Sequence, residues 1–197
     1  MIFIGIGGGT VWLQNWKYGE SLTLTIFSLT HKFKGPWIHK LDVLVIQESH
    51  IRHGHPAAVR NDIAPAGYSA LHVHRDASAQ NYRGGGLAVV HRHSIMIKSI
   101  SVDVLPTTTE FEHQVVSVRF GSRSILLANI YRQPRSKPTA AFFRELSDFI
   151  AVLLSLTYKS ILITVDFNCP GRTRRTVDDD LMGVFSSFGL TQGSDAW

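Results

Sequence analysis

Residues 160–170 have the sequence SILITVDFNCP, and this stretch is the most informative in the chain. A run of aliphatic and β-branched residues ends abruptly at Asp166, and Asn168 follows two positions later. Such a run, bounded by turn-forming residues, predicts a buried strand. Asp166 and Asn168 then lie at the carboxyl end of that strand, where α/β sheets carry their binding sites. An ordinary turn is the alternative, because Asp, Asn and Pro all favour turns.

Three more segments combine a predicted strand with functional side chains or a glycine turn. Residues 41–48 (LDVLVIQE) end in a glutamate, and residues 124–134 (SILLANIYRQP) end in Tyr-Arg-Gln-Pro. Residues 83–90 (RGGGLAVV) form a glycine turn that leads into a strand. In this order the four segments resemble the endonuclease/exonuclease/phosphatase superfamily, most closely the endonuclease domains of non-LTR (LINE-type) retrotransposon reverse transcriptase polyproteins. The resemblance extends from about residue 22 to residue 192.

The composition is typical of one globular domain. The 197 residues are 44% hydrophobic and 18% charged, which excludes a disordered chain. Twenty Lys and Arg against 15 Asp and Glu give a formal charge of +5, which favours a polyanionic partner such as DNA. With Cys169 as its single cysteine, the chain has no evident disulfide partner. We therefore expect an intracellular protein, nuclear or cytoplasmic, that is not secreted. No apolar run approaches the ~20 residues that span a bilayer, so no membrane contact is expected.

Hydrophobic periodicity predicts many strands and two long helices. The helices are predicted at 139–156, after Pro138, and at 176–188. Residues 1–20 are expected to form an atypical, poorly ordered leader, and residues 21–197 to form the domain. The predicted strands lie at about 22–29, 42–47, 67–73, 85–91, 95–104, 114–120, 123–131 and 160–165.

The resemblance implies an α/β fold in which two mixed sheets pack face to face with helices outside, a DNase I-like sandwich. Members of this family end with a late Asp and a Ser-Asp-His motif. This sequence ends at Trp197, soon after the segment that precedes them, so we expect a domain that is incomplete at its C-terminus and lacks its last strands. The family also carries an Asn at the end of its first strand, where this chain has Thr30, a degenerate position.

The resemblance also implies roles for individual residues. Glu48 would bind Mg²⁺, with Mn²⁺ as an alternative, and Asp166 would orient or deprotonate the attacking water. Asn168 and Tyr131 would contact the scissile phosphate. Apart from the resemblance, the basic residues expected to contact the backbone of a nucleic acid are Arg132, Arg135, Arg172 and Arg174; a surface salt bridge is the alternative for Arg132.

Two functions therefore remain open. The first is a Mg²⁺-dependent phosphodiesterase of retrotransposon-endonuclease type, which nicks DNA by attack of water on phosphorus. The second is a degenerate, non-catalytic remnant with at most weak nucleic-acid binding. A third alternative rests on His72-Val73-His74, which resembles the start of the metal motif of metallo-β-lactamase-like hydrolases. Ala77 stands where that motif has a further His, so ordinary histidines are the favoured interpretation.

Overall fold

Two mixed β-sheets pack face to face in the computed structural model of the chain. The structure describes residues 2–6, 9–15, 20–28, 41–52, 54–75, 85–133, 138–167 and 174–192. The strands are β1 (Ile2–Ile6), β2 (Gly9–Asn15), β3 (Glu20–Ser28), β4 (Val43–Gln47), β5 (Tyr68–Val73), β6 (Leu87–Arg92), β7 (Met96–Ser99), β8 (Glu112–Phe120), β9 (Arg123–Tyr131), β10 (Ile161–Asp166) and β11 (Thr191–Gln192). The helices are α1 (Ala57–Asn61), α2 (Ala140–Ser155) and α3 (Arg174–Ser187), with a 3₁₀ turn at Val102–Val104.

The strand order places the carboxyl ends of β4, β9 and β10 at one end of the sandwich. The first sheet has the order β11-β1-β10-β9-β8-β7. Strands β1, β10 and β9 run parallel to one another, β8 is antiparallel to β9, and β7 is antiparallel to β8. The second sheet has the order β2-β3-β4-β6-β5, with β3 and β4 parallel. This is the two-sheet α/β sandwich that the resemblance implies.

Hydrophobic residues form three layers, one between the sheets and one on each outer face. The layer between the sheets includes Val45 from β4 and Leu127 from β9. Helices α2 and α3 cover the outer face of the first sheet. The outer face of the second sheet packs against residues that follow α1, Ile63 among them. Burial of these apolar surfaces is the main favourable contribution to folding.

Helix α2 shows how the sequence specifies one of these layers. The side chain of Thr139 accepts a hydrogen bond from the backbone N–H of Phe142 at 3.1 Å and caps the helix. The helical spacing of its apolar residues then directs one face toward the sheet. The buried side chains on that face are Phe142, Leu146, Phe149, Ile150 and Leu153.

Three buried carboxamide side chains join the two sheets near the carboxyl ends of β4, β9 and β10. Gln47 donates from Nε2 to the carbonyl of Ile130 at 3.2 Å, and Asn129 donates from Nδ2 to the carbonyl of Ile46 at 3.0 Å. Gln114 donates to the carbonyl of Leu71 at 3.0 Å. Each bond connects a strand of one sheet to the other sheet, so the sheets are held by directional contacts as well as by apolar packing.

The predicted strands and helices are confirmed, except that one strand is shorter than expected; α1, β1, β2 and β11 were not predicted. The strand expected at 95–104 ends at Ser99, because a 3₁₀ turn begins at Val102. Helix α1 was not predicted, since its five residues are too few for a periodic pattern.

The N-terminal residues, expected to form an atypical leader, include two strands. Residues 2–6 form a parallel strand beside β10, and residues 9–15 pair with β3. The physical reason is visible in the sequence IFIGI, whose β-branched and aromatic residues favour a strand. Strand β1 thereby covers an edge of β10 that would otherwise be open.

Replacement of Asn129 by Ala tests the contact between the sheets. Asn129 is fully buried, and its Oδ1 also accepts a hydrogen bond from Thr164 at 3.3 Å. Because the variant loses both hydrogen bonds and leaves a cavity, we expect the free energy of unfolding to fall by about 2–4 kcal/mol. Urea denaturation measures the change. The control is Asn61→Ala at the exposed end of α1, expected to stay within about 0.5 kcal/mol of wild type; an equal loss in both variants would contradict the prediction.

Candidate active site

Glu48 follows β4 directly and has a left-handed backbone conformation, which neighbouring contacts stabilise. Its φ is 58°, in the left-handed region, and His50 has a φ of 55°. The next two backbone N–H groups pair with the glycine turn: Ser49 donates to the carbonyl of Gly86 at 2.9 Å, and His50 to that of Gly85 at 3.0 Å. These bonds offset the strain and fix the direction in which Glu48 leaves its strand.

The glycine turn allows this close approach. Gly85 and Gly86 have φ values of 81° and 79°, which side chains rarely tolerate. A Cβ on Gly86 would lie 2.9 Å from the Ser49 hydroxyl, and one on Gly85 would collide with the Arg75 guanidinium. At these two positions the turn therefore serves close backbone packing; residues 83 and 84 lie outside the described residues.

Tyr131 ends β9, and its phenol reaches across to Glu48. The side chain is 1% exposed, and its hydroxyl donates a hydrogen bond to Glu48 Oε1. Burial raises the pKa of the Tyr131 phenol above its ordinary value, and the hydrogen bond and negative charge of Glu48 raise it further. The phenol is therefore protonated and acts as a donor at neutral pH.

Asp166 lies beside Tyr131 on the same face of the first sheet. The two residues are paired in register between β10 and β9, so their side chains project from the same face. The carboxylate is partly exposed, and its negative charge also contributes to the raised pKa of Tyr131. The structure thus brings Glu48, Tyr131 and Asp166 together at the carboxyl ends of three strands.

An ion pair completes this group of residues. Glu112 on β8 pairs in register with Tyr131, on the side of β9 that lies away from β10. Its carboxylate forms an ion pair with the guanidinium of Arg75. Its second oxygen, Oε2, accepts a hydrogen bond from the backbone N–H of Gly86 at 2.8 Å. The side chains of Arg75 and Glu112 are 12% and 23% exposed, so solvent screens this pair less than a surface pair.

Arg75 and Glu112 were not predicted as site residues from the sequence. Glu112 lies two residues before the predicted start of its strand, and Arg75 follows the His72-Val73-His74 segment, which drew attention to the histidines instead. A signal for Glu112 is its position at the start of β8, the strand that directly precedes the one ending in Tyr131.

Arg132 is buried rather than displayed on the surface. Its side chain is 3% exposed, its guanidinium carbon lies 5.3 Å from the centroid of the Phe142 ring, and Nη1 donates to the carbonyl of Phe167 at 3.4 Å. These contacts give it a structural role beneath α2, and its burial does not suit the expected contact with a DNA backbone.

Several other expected site residues cannot be placed. Asn168, Thr30, Arg135 and Arg172 lie outside the described residues, and for Arg174, the first residue of α3, the backbone alone is described. Their roles stay predictions.

His72 and His74 each contact a backbone carbonyl. His72 Nε2 lies 3.0 Å from the carbonyl of Arg60, and His74 Nδ1 lies 3.2 Å from that of Ile51, with the two imidazole rings stacked. Burial lowers the pKa of His72. Within the described residues, no group of three or more His, Cys, Asp or Glu is arranged to hold a metal ion.

Glu48 and Asp166 nevertheless fit a magnesium ion. Mg²⁺ retains several waters and is bound by one or two carboxylates together with substrate phosphate, without a dedicated protein cage. Glu48 is partly exposed, and among the described residues no hydrogen bond engages its second oxygen, Oε2. The oxygen donors present are those that a hard divalent cation prefers.

The two-sheet sandwich carries acidic and phenolic side chains at the carboxyl ends of its strands. Among solved structures, the chain is similar to the endonuclease domain of TRAS1, a telomere-specific non-LTR retrotransposon, at 17% sequence identity and a TM-score of 0.55. That match covers 84% of this chain and 70% of the other. The fold implied by the sequence resemblance is confirmed.

Two further matches have lower TM-scores. The human Nocturnin catalytic domain is 15% identical, with a TM-score of 0.45, over 79% of this chain and 65% of that one. D. rerio TDP2 complexed with single-strand DNA product is 16% identical, with a TM-score of 0.43, over 75% of this chain and 53% of that one. No family model and no curated protein matches the sequence. Within the part of the chain that the structure describes, no helix is both long and apolar enough to cross a membrane.

The raised pKa of Tyr131 predicts a specific dependence of stability on pH. The phenol ionises more readily in the unfolded chain, near pH 10. Its contribution to the free energy of unfolding is therefore complete below that pH and is lost as the pH rises further. Between pH 9 and pH 11 we expect the free energy of unfolding to fall by about 1 kcal/mol more for wild type than for Tyr131→Phe. Urea denaturation at a series of pH values measures this difference, and parallel pH profiles for the two chains would refute it.

Proposed function

We propose that the chain is a phosphodiesterase domain of retrotransposon-endonuclease type, which uses Mg²⁺ and water to nick DNA. One observation carries the proposal: Glu48, Tyr131 and Asp166 converge at the carboxyl ends of β4, β9 and β10. The similarity to the TRAS1 endonuclease domain supports the retrotransposon type, and the formal charge of +5 favours a polyanionic substrate.

Each of the three side chains has a distinct role in the proposal. Glu48 is the ligand for Mg²⁺, which when bound neutralises negative charge on the phosphate as the reaction proceeds. Asp166 is a partly exposed carboxylate that accepts the proton of the attacking water. Tyr131 is a neutral donor whose bond to Oε1 keeps the Glu48 carboxylate in one orientation. Asn168 lies outside the described residues, and for it we propose the role that the sequence resemblance implies, contact with the scissile phosphate as a neutral donor.

The buried surroundings favour this chemistry. Tyr131 is 1% exposed and its neighbours in the next row, Asn129 and Thr164, are fully buried. Hydrogen bonds and charges in such a setting are stronger than in water and are already oriented before the substrate arrives.

A plasmid-nicking assay tests the proposal. Supercoiled DNA is incubated with the purified chain in Mg²⁺ or in chelator, and relaxed product is measured on agarose. We expect Mg²⁺-dependent nicking by wild type and a decrease of at least about 100-fold for Asp166→Asn, the usual scale for loss of a general base. The matched control is Asp148→Asn, an isosteric change at an exposed position on α2, which we expect to retain wild-type activity.

Two results would contradict the proposal. One is equal nicking by wild type and Asp166→Asn, which would place the chemistry elsewhere. The other is absence of nicking by a wild-type chain shown to be folded by circular dichroism. If that chain still bound DNA with a strong salt dependence, the non-catalytic remnant would be the better description.

A further inference from the structure

We propose that the ion pair between Arg75 and Glu112 is a positioning device for Glu48, which holds that carboxylate in place for a divalent cation. The cation rests on the proposed function above, whereas the positioning rests on contacts within the chain. Arg75 and Glu112 are positioning residues, because they act through Glu48 and need not touch the substrate.

The first route from the ion pair to Glu48 runs through the backbone. Glu112 Oε2 accepts the N–H of Gly86 at 2.8 Å, and the Gly86 carbonyl accepts the N–H of Ser49 at 2.9 Å. The adjacent Gly85 carbonyl accepts the N–H of His50 at 3.0 Å. Because Glu48 precedes these two residues and has a positive φ, displacement of the glycine turn would change the direction of its side chain.

The second route runs through Tyr131. Glu112 and Tyr131 are in-register partners on β8 and β9, and the Tyr131 hydroxyl donates to Glu48 Oε1. The backbone route and the side-chain route together form a closed ring from Glu112 to Glu48 and back. A shift of Glu112 therefore affects both the backbone that carries Glu48 and the phenol that holds its carboxylate.

Arg75 fixes Glu112 within this ring. Its guanidinium pairs with Glu112 and lies against Gly85, at the place where a Cβ would collide with it. The absence of a side chain at Gly85 makes room for Arg75, so the glycine turn and the ion pair are one packed unit. Without its cationic partner, the Glu112 carboxylate would be more stable when it is hydrated than when it remains hydrogen-bonded to the N–H of Gly86.

The decisive variant is Glu112→Gln, and the chain offers a matched control. Asp42 is also 23% exposed, and its carboxylate lies 3.4 Å from Arg92 Nε in a second ion pair. Asp42→Asn therefore removes a carboxylate of equal exposure from an ion pair at the start of β4, whereas Glu48 follows the end of that strand. A purely structural role for Glu112 predicts similar behaviour of the two variants.

The first measurement is amide hydrogen exchange followed by NMR. In Glu112→Gln we expect the N–H groups of Ser49 and His50 to exchange at least tenfold faster than in wild type, with the amides of β9 unchanged. In Asp42→Asn we expect both rates to stay within twofold of wild type. Unchanged exchange in Glu112→Gln, or a uniform increase throughout β9, would overturn the positioning role.

The second measurement is binding of Mn²⁺, followed by electron paramagnetic resonance. Loss of a residue that orients a metal ligand commonly weakens affinity 10- to 100-fold, so we expect the Kd of Glu112→Gln to rise at least tenfold and that of Asp42→Asn to change less than twofold. Equal Mn²⁺ affinity in wild type and Glu112→Gln would overturn the proposal while leaving the proposed function intact.

The two measurements separate the two proposals. A wild-type chain that binds no Mn²⁺ refutes the metal-dependent function, and exchange at Ser49 and His50 then decides the positioning role alone. If Glu112→Gln does not fold, Arg75→Lys replaces it, because lysine keeps a cation but lacks the planar fork of arginine. The same tenfold criteria then apply.

Discussion

Burial of polar side chains between the two sheets is the constraint on which the rest of the structure depends. Gln114, Asn129 and Thr164 form a row across β8, β9 and β10, next to the apolar layer that contains Leu127. A buried amide without partners destabilises a protein, so Gln114 and Asn129 have to find their acceptors on the facing sheet. The sheets can then pack in one relative position, and an apolar interface alone would define that position less narrowly.

The candidate site is the next row of the same arrangement. Glu112, Tyr131 and Asp166 lie two residues further along the three strands than the polar row, on the same face of the sheet. The environment changes in steps along this face, from apolar core to uncharged polar groups and then to charged groups near solvent. The carboxylates therefore lie where water can reach them, while the buried row behind them holds their strands.

Much of this arrangement is predictable from the sequence, and the remainder depends on contacts between distant residues. The aliphatic runs before Glu48, Tyr131 and Asp166 predict three buried strands, and the family resemblance predicts that their ends meet. The burial of Arg132 was missed, although alternation along a strand directs the residue after Tyr131 toward the opposite face and hence toward α2. The pairing of Arg75 with Glu112 has no local signal, because Arg75 follows β5 of the second sheet and Glu112 begins β8 of the first, 37 positions further along the chain.

The pairing of β1 with β10 has a consequence for the order in which the chain can fold. Ile2 pairs with Ile161, so β1 is synthesised long before its partner strand leaves the ribosome. Contacts of such sequence separation form slowly, and until they do an apolar strand remains available for association with other chains. The second sheet, whose strands all precede residue 93, can assemble earlier and provide a surface on which the later strands collapse. Yield on refolding should accordingly depend on protein concentration more than on the time allowed.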